Sequence, residues 1–134
     1  MSTALDTPIG LEPQHGAAVR IRVRDVQVAT ALVMGVPVRS LRQSYGPHVN
    51  ERQLAMMLSA EITGRGTPFI AAQFFCEHST IIHAVAKVRK RMRMDRGLRL
   101  AADRICVEAE IEAERFLETM RRAALPQANQ GRST

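Results

Sequence analysis

The sequence predicts an all-α protein, a small helical domain followed by one long C-terminal helix. Apolar residues recur three and four positions apart through most of the chain, which is the spacing of helices with one buried face. Aromatic residues make up only 4% of the chain and seven methionines are present, a composition that suits an aliphatic core between packed helices. With 134 residues, the chain can bury one such core and has little room for a second.

Changes in composition divide the chain into four segments. Residues 1–17 combine Pro, Gly and Thr without periodicity and are predicted to be a flexible arm, and residues 126–134 are predicted to be a disordered tail. Residues 18–96 hold the predicted compact domain, and residues 97–125 hold the long helix. Cys76 and Cys106 form no CxxC pair, which argues for a reducing compartment rather than a disulfide scaffold.

The first helix is predicted over residues 18–33, with an ambiguous start. Val19, Ile21 and Val23 alternate with arginines, which is a strand pattern, before the apolar spacing becomes helical. Gly35 is expected to end this helix. The segment "VPVRSLRQS" can hold one short helix before a loop.

The clearest helix signal is "NERQLAMMLSAEITG". Asn50 is predicted to be its N-cap, and Gln53 can reach back in capping-box geometry. Gly64 is expected to end it. The predicted buried stripe consists of Leu54, Met57, Leu58 and Ile62.

Two further helices are separated by a tight turn. In "TPFIAAQFF", Thr67 is predicted to be the N-cap and Pro68 the first helical residue, with Phe69, Ile70 and Phe74 forming the apolar face. The second helix is predicted over residues 79–94. Its inward residues are expected to be Ile81, Ile82, Val85, Val88 and Met92. A short helix, a turn and a second helix with a basic end are typical of a helix-turn-helix motif.

The long last helix is predicted to run from about Leu98 to Leu125. One stripe on this helix is apolar and has two interpretations, packing onto its own domain or forming a homodimer seam. The stripe consists of Ala101, Ile105, Ala109, Phe116 and Met120.

Charge is strongly segregated along the chain, whose net charge is +6 and whose pI is about 10.6. Residues 87–99 contain seven basic residues and one acidic residue, and residues 103–118 contain six acidic residues and two arginines. Phosphate backbones are the commonest partner of such a basic block, whereas the alternative is a solvated, highly charged helix surface.

The stretch "CEHSTIIHAVAKVRK" invites two other interpretations, a metal site and a catalytic cysteine. His78 and His83 are five positions apart, about 500° of helix rotation, so they face different sides and do not resemble a HExxH pair. No further strong ligand is adjacent, and nothing in the sequence indicates an oriented base or an oxyanion hole for Cys76. We interpret Cys76 as a half-buried structural thiol and expect His83, between Ile82 and Ala84, to pack in the interior.

Several functional classes are therefore disfavoured. The sequence contains neither GxxxxGK[ST] nor GxGxxG, and paired carboxylates are absent from its middle, so we expect no enzyme, no cofactor and no metal. No segment approaches the roughly 20 apolar residues of a membrane span, and the N-terminus does not look like a signal peptide. We expect a cytoplasmic, nucleoid-associated protein.

Residues 51–88 carry a more specific pattern. The segment "NERQLAMMLSAEIT" matches "RPRQIAMYLARELT", "TPFIA" matches "LPEIG", and "FFCEHSTIIHAVAKV" matches "GGRDHTTVIHACRKI". In these segments the chain resembles the C-terminal DNA-binding domain of the bacterial replication initiator DnaA family, and the resemblance extends weakly upstream to about Val19.

The resemblance implies binding of a short double-stranded DNA box, with the second helix of the motif in the major groove. Carried over position by position, it implies DNA contacts at the start of the capped helix, at the start of the first motif helix and along the recognition helix. Lysine and arginine side chains would contact phosphates, and the polar residues would read base edges. With the two basic residues next in the run, the implied DNA-binding residues are Arg52, Gln53, Thr67, Pro68, Glu77, His78, Ser79, Thr80, Lys87, Arg89 and Lys90.

The chain departs from the family pattern in four respects, the first being that Asn50 stands where the family has the first Arg of "RPRQ". The turn is one residue shorter, with its Gly-Gly-Arg replaced. The basic loop before the capped helix is reduced to Arg39 and Arg42. No counterpart of the family's nucleotide-binding domain is present in these residues, so we expect no ATPase activity.

Two functions from different classes follow. The first is sequence-specific binding of double-stranded DNA by a stand-alone DnaA-like domain that regulates replication initiation or transcription. The second is a protein-interaction module that kept the fold, lost DNA binding and associates through its C-terminal helix, for example as a homodimer.

Overall fold

The computed structural model describes residues 19–126, and this range holds five α-helices, one 3₁₀ helix and no strand. The prediction of an all-α protein is therefore confirmed. The predicted arm and the predicted tail beyond Pro126 lie outside the described residues. In chain order the elements are α1 (Val23–Met34), the 3₁₀ helix (Val38–Arg42), α2 (Val49–Ile62), α3 (Thr67–Gln73), α4 (His78–Met94) and α5 (Arg96–Ala123).

Helix α1 begins five residues later than predicted because Asp25 defines its first turn. The buried Asp25 carboxylate accepts hydrogen bonds from the Arg22 backbone N–H at 2.8 Å and from the Arg22 guanidinium at 2.5 Å. These bonds hold Arg22 in an extended conformation as the N-cap, so the alternating segment before it does not join the helix. Gly35 ends α1 with a φ of 69°, as predicted.

Helix α2 lies at the centre of the fold and contacts every other element. It begins at Val49 with His48 as its N-cap, so the prediction that Asn50 caps this helix is wrong. The predicted stripe of Leu54, Met57, Leu58 and Ile62 is buried, as expected. Ala55 and Met56 are also buried, because a helix with neighbours on several sides buries more than one stripe.

Helix α5 packs its first half onto the domain, mainly against α1. The carboxylate of Asp95 caps it by accepting the Leu98 backbone N–H at 2.9 Å. Its inner face is largely alanine, which allows a close approach to α1; the buried residues are Leu98, Ala102, Ile105, Cys106, Ala109 and Ala113.

The predicted α5 stripe is thus divided between two environments. Ile105 and Ala109 are fully buried, whereas Phe116 and Met120 remain 38% and 50% exposed. The Arg22 guanidinium lies over the Phe116 ring, 3.5 Å from its centroid, so this part also contacts its own domain. A homodimer seam along the whole predicted stripe is therefore wrong, because half of it lies in the core. No helix between residues 19 and 126 is long and apolar enough to cross a membrane.

Candidate nucleic-acid interface

Helices α3 and α4 are joined by a four-residue turn with a regular hydrogen-bond pattern. The Cys76 backbone N–H donates to the Ala71 carbonyl at 3.0 Å, and the Phe75 N–H donates to the Ala72 carbonyl at 3.3 Å. These bonds form a Schellman motif, in which the residue after the C-cap adopts a left-handed conformation. Phe75 occupies that position with a φ of 56°. The turn therefore keeps the geometry that usually requires glycine, although Phe75 stands there.

The first residues of α3 differ slightly from the prediction. Gly66 is the N-cap, so Thr67 and Pro68 are the first two helical residues. Thr67 is half-buried and Pro68 is exposed. Ile70 and Phe74 are buried as expected, but Phe69 is 40% exposed and stacks against the guanidinium of Arg65 at 4.2 Å from its ring centroid. The predicted inward orientation of Phe69 is wrong because α3 has only one short buried face.

Arg52 lies in the interior, and its prediction as a phosphate contact is wrong. Its side chain is 4% exposed, and its Nε and Nη2 donate to the carbonyls of Leu41 at 3.2 Å and Phe74 at 3.0 Å. Burial lowers the pKa of this guanidinium, and the adjacent Cys76 acts in the opposite direction. Arg52 thus joins the 3₁₀ helix to the turn between α3 and α4, and has no free donor face for DNA.

A second buried side chain fixes the same turn. The Gln27 side-chain amide on α1 donates to the Gln73 carbonyl at 3.1 Å. The last carbonyls of α3 therefore accept hydrogen bonds from α1 and α2 rather than from water, which satisfies a helix end. Buried side chains of α1 and α2 therefore fix the beginning of the turn that leads into α4.

The outward face of α4 is defined by the residues opposite its buried side. Ile81, Ala84 and Val88 are buried, and a rotation of about 100° per residue gives the opposite face. That face consists of the exposed residues Ser79, Ile82, His83, Ala86, Lys90 and Arg93.

Two predicted orientations on α4 are therefore wrong. His83 was expected in the interior and Ile82 at the core, but both are exposed, Ile82 by 50%. The local apolar neighbours of His83 suggested burial, whereas the phase of the helix decides its direction. The apolar residues at positions 81, 84 and 88 have the spacing of one helix face, and this spacing places His83 and Arg93 on the opposite, exposed face.

The other predicted residues of α4 are accessible. Glu77 is the N-cap, Thr80 is half-buried, and the exposed residues are Glu77, His78, Ser79, Lys87, Arg89 and Lys90. Arg89 differs from the lysines because it forms an ion pair with Glu61 of α2, with Nε to Oε2 at 2.8 Å. Gln53 on α2 is half-buried, and its side-chain oxygen is buried without a hydrogen-bond donor among the described residues.

The electrostatics of α4 favour an anionic partner. Its seventeen residues include five lysines and arginines and no carboxylate. Two acidic residues of α5 are engaged along that helix, where Arg115 pairs with Glu112 at 3.0 Å and Arg121 with Glu118 at 2.7 Å. A basic surface with exposed hydroxyl and imidazole groups can bind phosphates and exchange hydrogen bonds with bases.

The cysteines and histidines do not form a reactive cluster in the described part of the chain. Burial raises the pKa of Cys76, which disfavours the nucleophilic thiolate. Between residues 19 and 126, no three side chains of His, Cys, Asp or Glu converge as a metal site would require.

The chain is similar to known replication initiators over part of their length. An 88-residue segment is 30% identical to the chromosomal replication initiator protein DnaA of Streptococcus pyogenes serotype M5 (strain Manfredo), covering 63% of this chain and 20% of that protein. The same values hold for DnaA of Streptococcus pyogenes serotype M1. The chain thus spans about a fifth of the length of these relatives. No protein-family model matches it, and no solved structure matches it significantly. The similarity supports a DnaA-like relationship over the matched segment.

Proposed function

We propose that this protein binds double-stranded DNA through α3 and α4, which act as a helix-turn-helix with α4 as the recognition helix. The observation that carries the proposal is the composition of α4, which exposes lysine, arginine, histidine and serine side chains and contains no carboxylate. The partial similarity to replication initiators further supports DNA binding related to replication initiation, or to regulation of transcription, at the nucleoid. No ATPase step is assigned to these residues.

The proposed contacts divide into two groups. His78, Ser79 and Thr80 in the first turn of α4 would read base edges, together with His83 one turn further along. Lys87 and Lys90 would neutralise phosphates. Arg89 would do so only after leaving Glu61, and Arg52 is excluded from the interface by its burial.

The test uses fluorescence anisotropy with a duplex selected from a random pool and with a scrambled duplex of equal length. We expect binding to weaken steeply with salt, since each phosphate contact contributes a slope of about −0.9 in log K against log salt. His78→Ala should lower the discrimination between the two duplexes by about 1–3 kcal/mol. Lys90→Ala should weaken both complexes alike and reduce the slope by about 0.9.

A matched control removes a charge from the last turn of α5, outside α3 and α4. Arg122, near the end of α5, is exposed and pairs with Glu118 at 3.0 Å, so Arg122→Ala should leave both binding curves unchanged. If the unmodified chain bound neither duplex at low salt, DNA binding would be refuted. If His78→Ala weakened binding to both duplexes equally, as Lys90→Ala is expected to do, the assignment of base reading to α4 would be wrong.

A second candidate function is supported by the outer side of α5. Leu100, Val107 and Ile111 are 52%, 57% and 40% exposed and lie on one stripe, opposite the buried face of the same helix. This stripe would serve a protein-interaction module, including a homodimer. Sedimentation velocity at increasing concentration, with Val107→Glu as the variant, distinguishes the two functions: concentration-dependent association without DNA binding favours the second.

A further inference from the structure

A basic cleft lies outside the residues assigned above. It separates the extended segment before α1 from the exposed side of α3 and has a volume of about 240 Å³. Four of its side chains are arginines, and the others include one aromatic ring and one amide. Its lining includes Arg20, Arg22, Arg24, Arg65, Phe69 and Gln73.

Most of the positive charge of this cleft is not neutralised by acidic side chains of residues 19–126. Arg22 is paired with the buried Asp25 at 2.5 Å. Arg20 and Arg24 are exposed and form no ion pair within residues 19–126. Arg65 is also exposed and without an ion pair there, and its guanidinium stacks on Phe69. Three like charges around one cleft repel each other, and an anion would relieve this repulsion.

The construction of the cleft suits phosphate groups. Guanidinium groups donate two parallel hydrogen bonds to a phosphate, and the Phe69 ring limits the orientations of the Arg65 group. Phe69 and Gln73 are four residues apart and form one row along α3, and the Arg65 side chain, which precedes the helix, stacks on Phe69 at one end of this row. From Phe69 to Gln73 this row is about 6 Å long at 1.5 Å per residue, which exceeds the axial spacing of about 3.4 Å between phosphates of one DNA strand.

The cleft shares helix α3 with the proposed interface. Arg65 lies two residues before Thr67, where α3 begins, and Gln73 lies at the end of α3, directly before the turn into α4. A duplex held against the start of α3 and the first turn of α4 would bring its backbone along this row. Arg20 lies in the extended segment and Arg24 lies in the first turn of α1, and both line the cleft.

We propose that Arg20, Arg24 and Arg65 form a second phosphate-binding surface, which holds the DNA backbone beside the segment read by α4. The inference rests on the proposed DNA binding and adds to it a set of contacts outside the two helices. These contacts raise affinity for every sequence and do not change sequence preference.

The test compares two triple variants that lose the same charge. The cleft variant carries Arg20→Gln, Arg24→Gln and Arg65→Gln, and the control carries Arg104→Gln, Arg121→Gln and Arg122→Gln on α5. Arg22 is kept because its pairing with Asp25 forms the first turn of α1. Circular dichroism and the thermal midpoint establish that each variant is folded, and Arg24→Gln alone serves if the triple variant is not.

We expect the cleft variant to lower the magnitude of the salt slope by about 2–3, which is about 0.9 for each lost phosphate contact. The Arg24→Gln variant should lower it by about 0.9. The ratio of affinities for selected and scrambled duplexes should stay constant. A slope equal to that of the control would overturn the role of the cleft while leaving DNA binding intact. Failure of the unmodified chain to bind either duplex would instead overturn the proposed function, and this inference with it.

Discussion

Replacing Arg52 tests whether this arginine is structural, as its surroundings indicate. Its guanidinium donates to the Leu41 carbonyl at 3.2 Å and to the Phe74 carbonyl at 3.0 Å, and both hydrogen bonds are buried. Arg52→Met keeps a long apolar stem and removes both donors. The 3₁₀ helix and the turn before α4 would then lose their common link to α2.

The expected loss can be worked out from these two bonds. A buried acceptor left without its donor costs roughly 1–3 kcal/mol, so two carbonyls cost about 2–6 kcal/mol. Part of this cost is offset because the variant no longer buries a charged group, whose desolvation lowers the pKa of Arg52. We therefore expect the free energy of unfolding to fall by about 2–4 kcal/mol, a large fraction of the 5–15 kcal/mol typical of a domain.

Urea denaturation followed by circular dichroism measures this change. With a slope of about 1–2 kcal/mol per molar urea, the midpoint should fall by roughly 1–4 M. Arg104→Met is the matched control, because Arg104 is exposed on α5, and its substitution should change stability by less than about 0.5 kcal/mol. The salt slope of DNA binding is then measured for both variants at a temperature where they remain folded.

The opposite result would refute the structural assignment. If Arg52→Met left the urea midpoint unchanged and reduced the salt slope by about 0.9, Arg52 would be a phosphate contact and its buried position would be wrong. A fall in stability with an unchanged slope supports the assignment made from the structure.

Two further predictions concern the turn and the α5 core. Phe75 is 69% exposed and has a left-handed backbone conformation that strains a residue with a side chain, so Phe75→Gly should raise the free energy of unfolding by between zero and about 1 kcal/mol. Phe74→Ala at the fully buried neighbour should lower it by roughly 3–5 kcal/mol. A loss above about 1 kcal/mol for Phe75→Gly in urea denaturation would show that this backbone conformation does not strain Phe75. Burial and neighbouring carboxylates raise the pKa of Cys106 from 9.0 to about 11, so its thiol contributes stability that is complete below pH 9 and is lost as the pH rises towards 11. Urea denaturation should show that the free energy of unfolding is about 2–3 kcal/mol lower at pH 11 than at pH 8.5, and that Cys106→Ala lacks this loss. An equal loss in both proteins would exclude the Cys106 thiol as the cause.

Local signals were sufficient for most of the fold. The spacing of Leu54, Met57, Leu58 and Ile62 identified the buried stripe of α2, and Gly35 identified the end of α1. Helix α4 was predicted at residues 79–94 and runs over His78–Met94. These features depend on interactions within a few residues, which is why the amino-acid order is enough to predict them.

The candidate site was less predictable where orientation mattered. His83 lies between two apolar residues, yet it points outward because the neighbours of α4 cover the side that carries Ile81, Ala84 and Val88. Residue Arg52 has the charge expected of a phosphate contact, and only its position beneath the turn shows that it binds carbonyls instead.

The sequence by itself determined the helical class, the order of the helices, the basic character of α4 and the capacity of the turn region to connect two helices. The tertiary structure alone decided which charged side chains are buried, which form ion pairs and which are exposed to a partner. It buried Arg52 beneath the turn, paired Arg89 with Glu61 and gathered Arg20, Arg24 and Arg65 around one cleft. The physical reason is that periodicity gives the relative phase of residues along one helix, whereas burial and ion pairing depend on segments that are distant in the sequence.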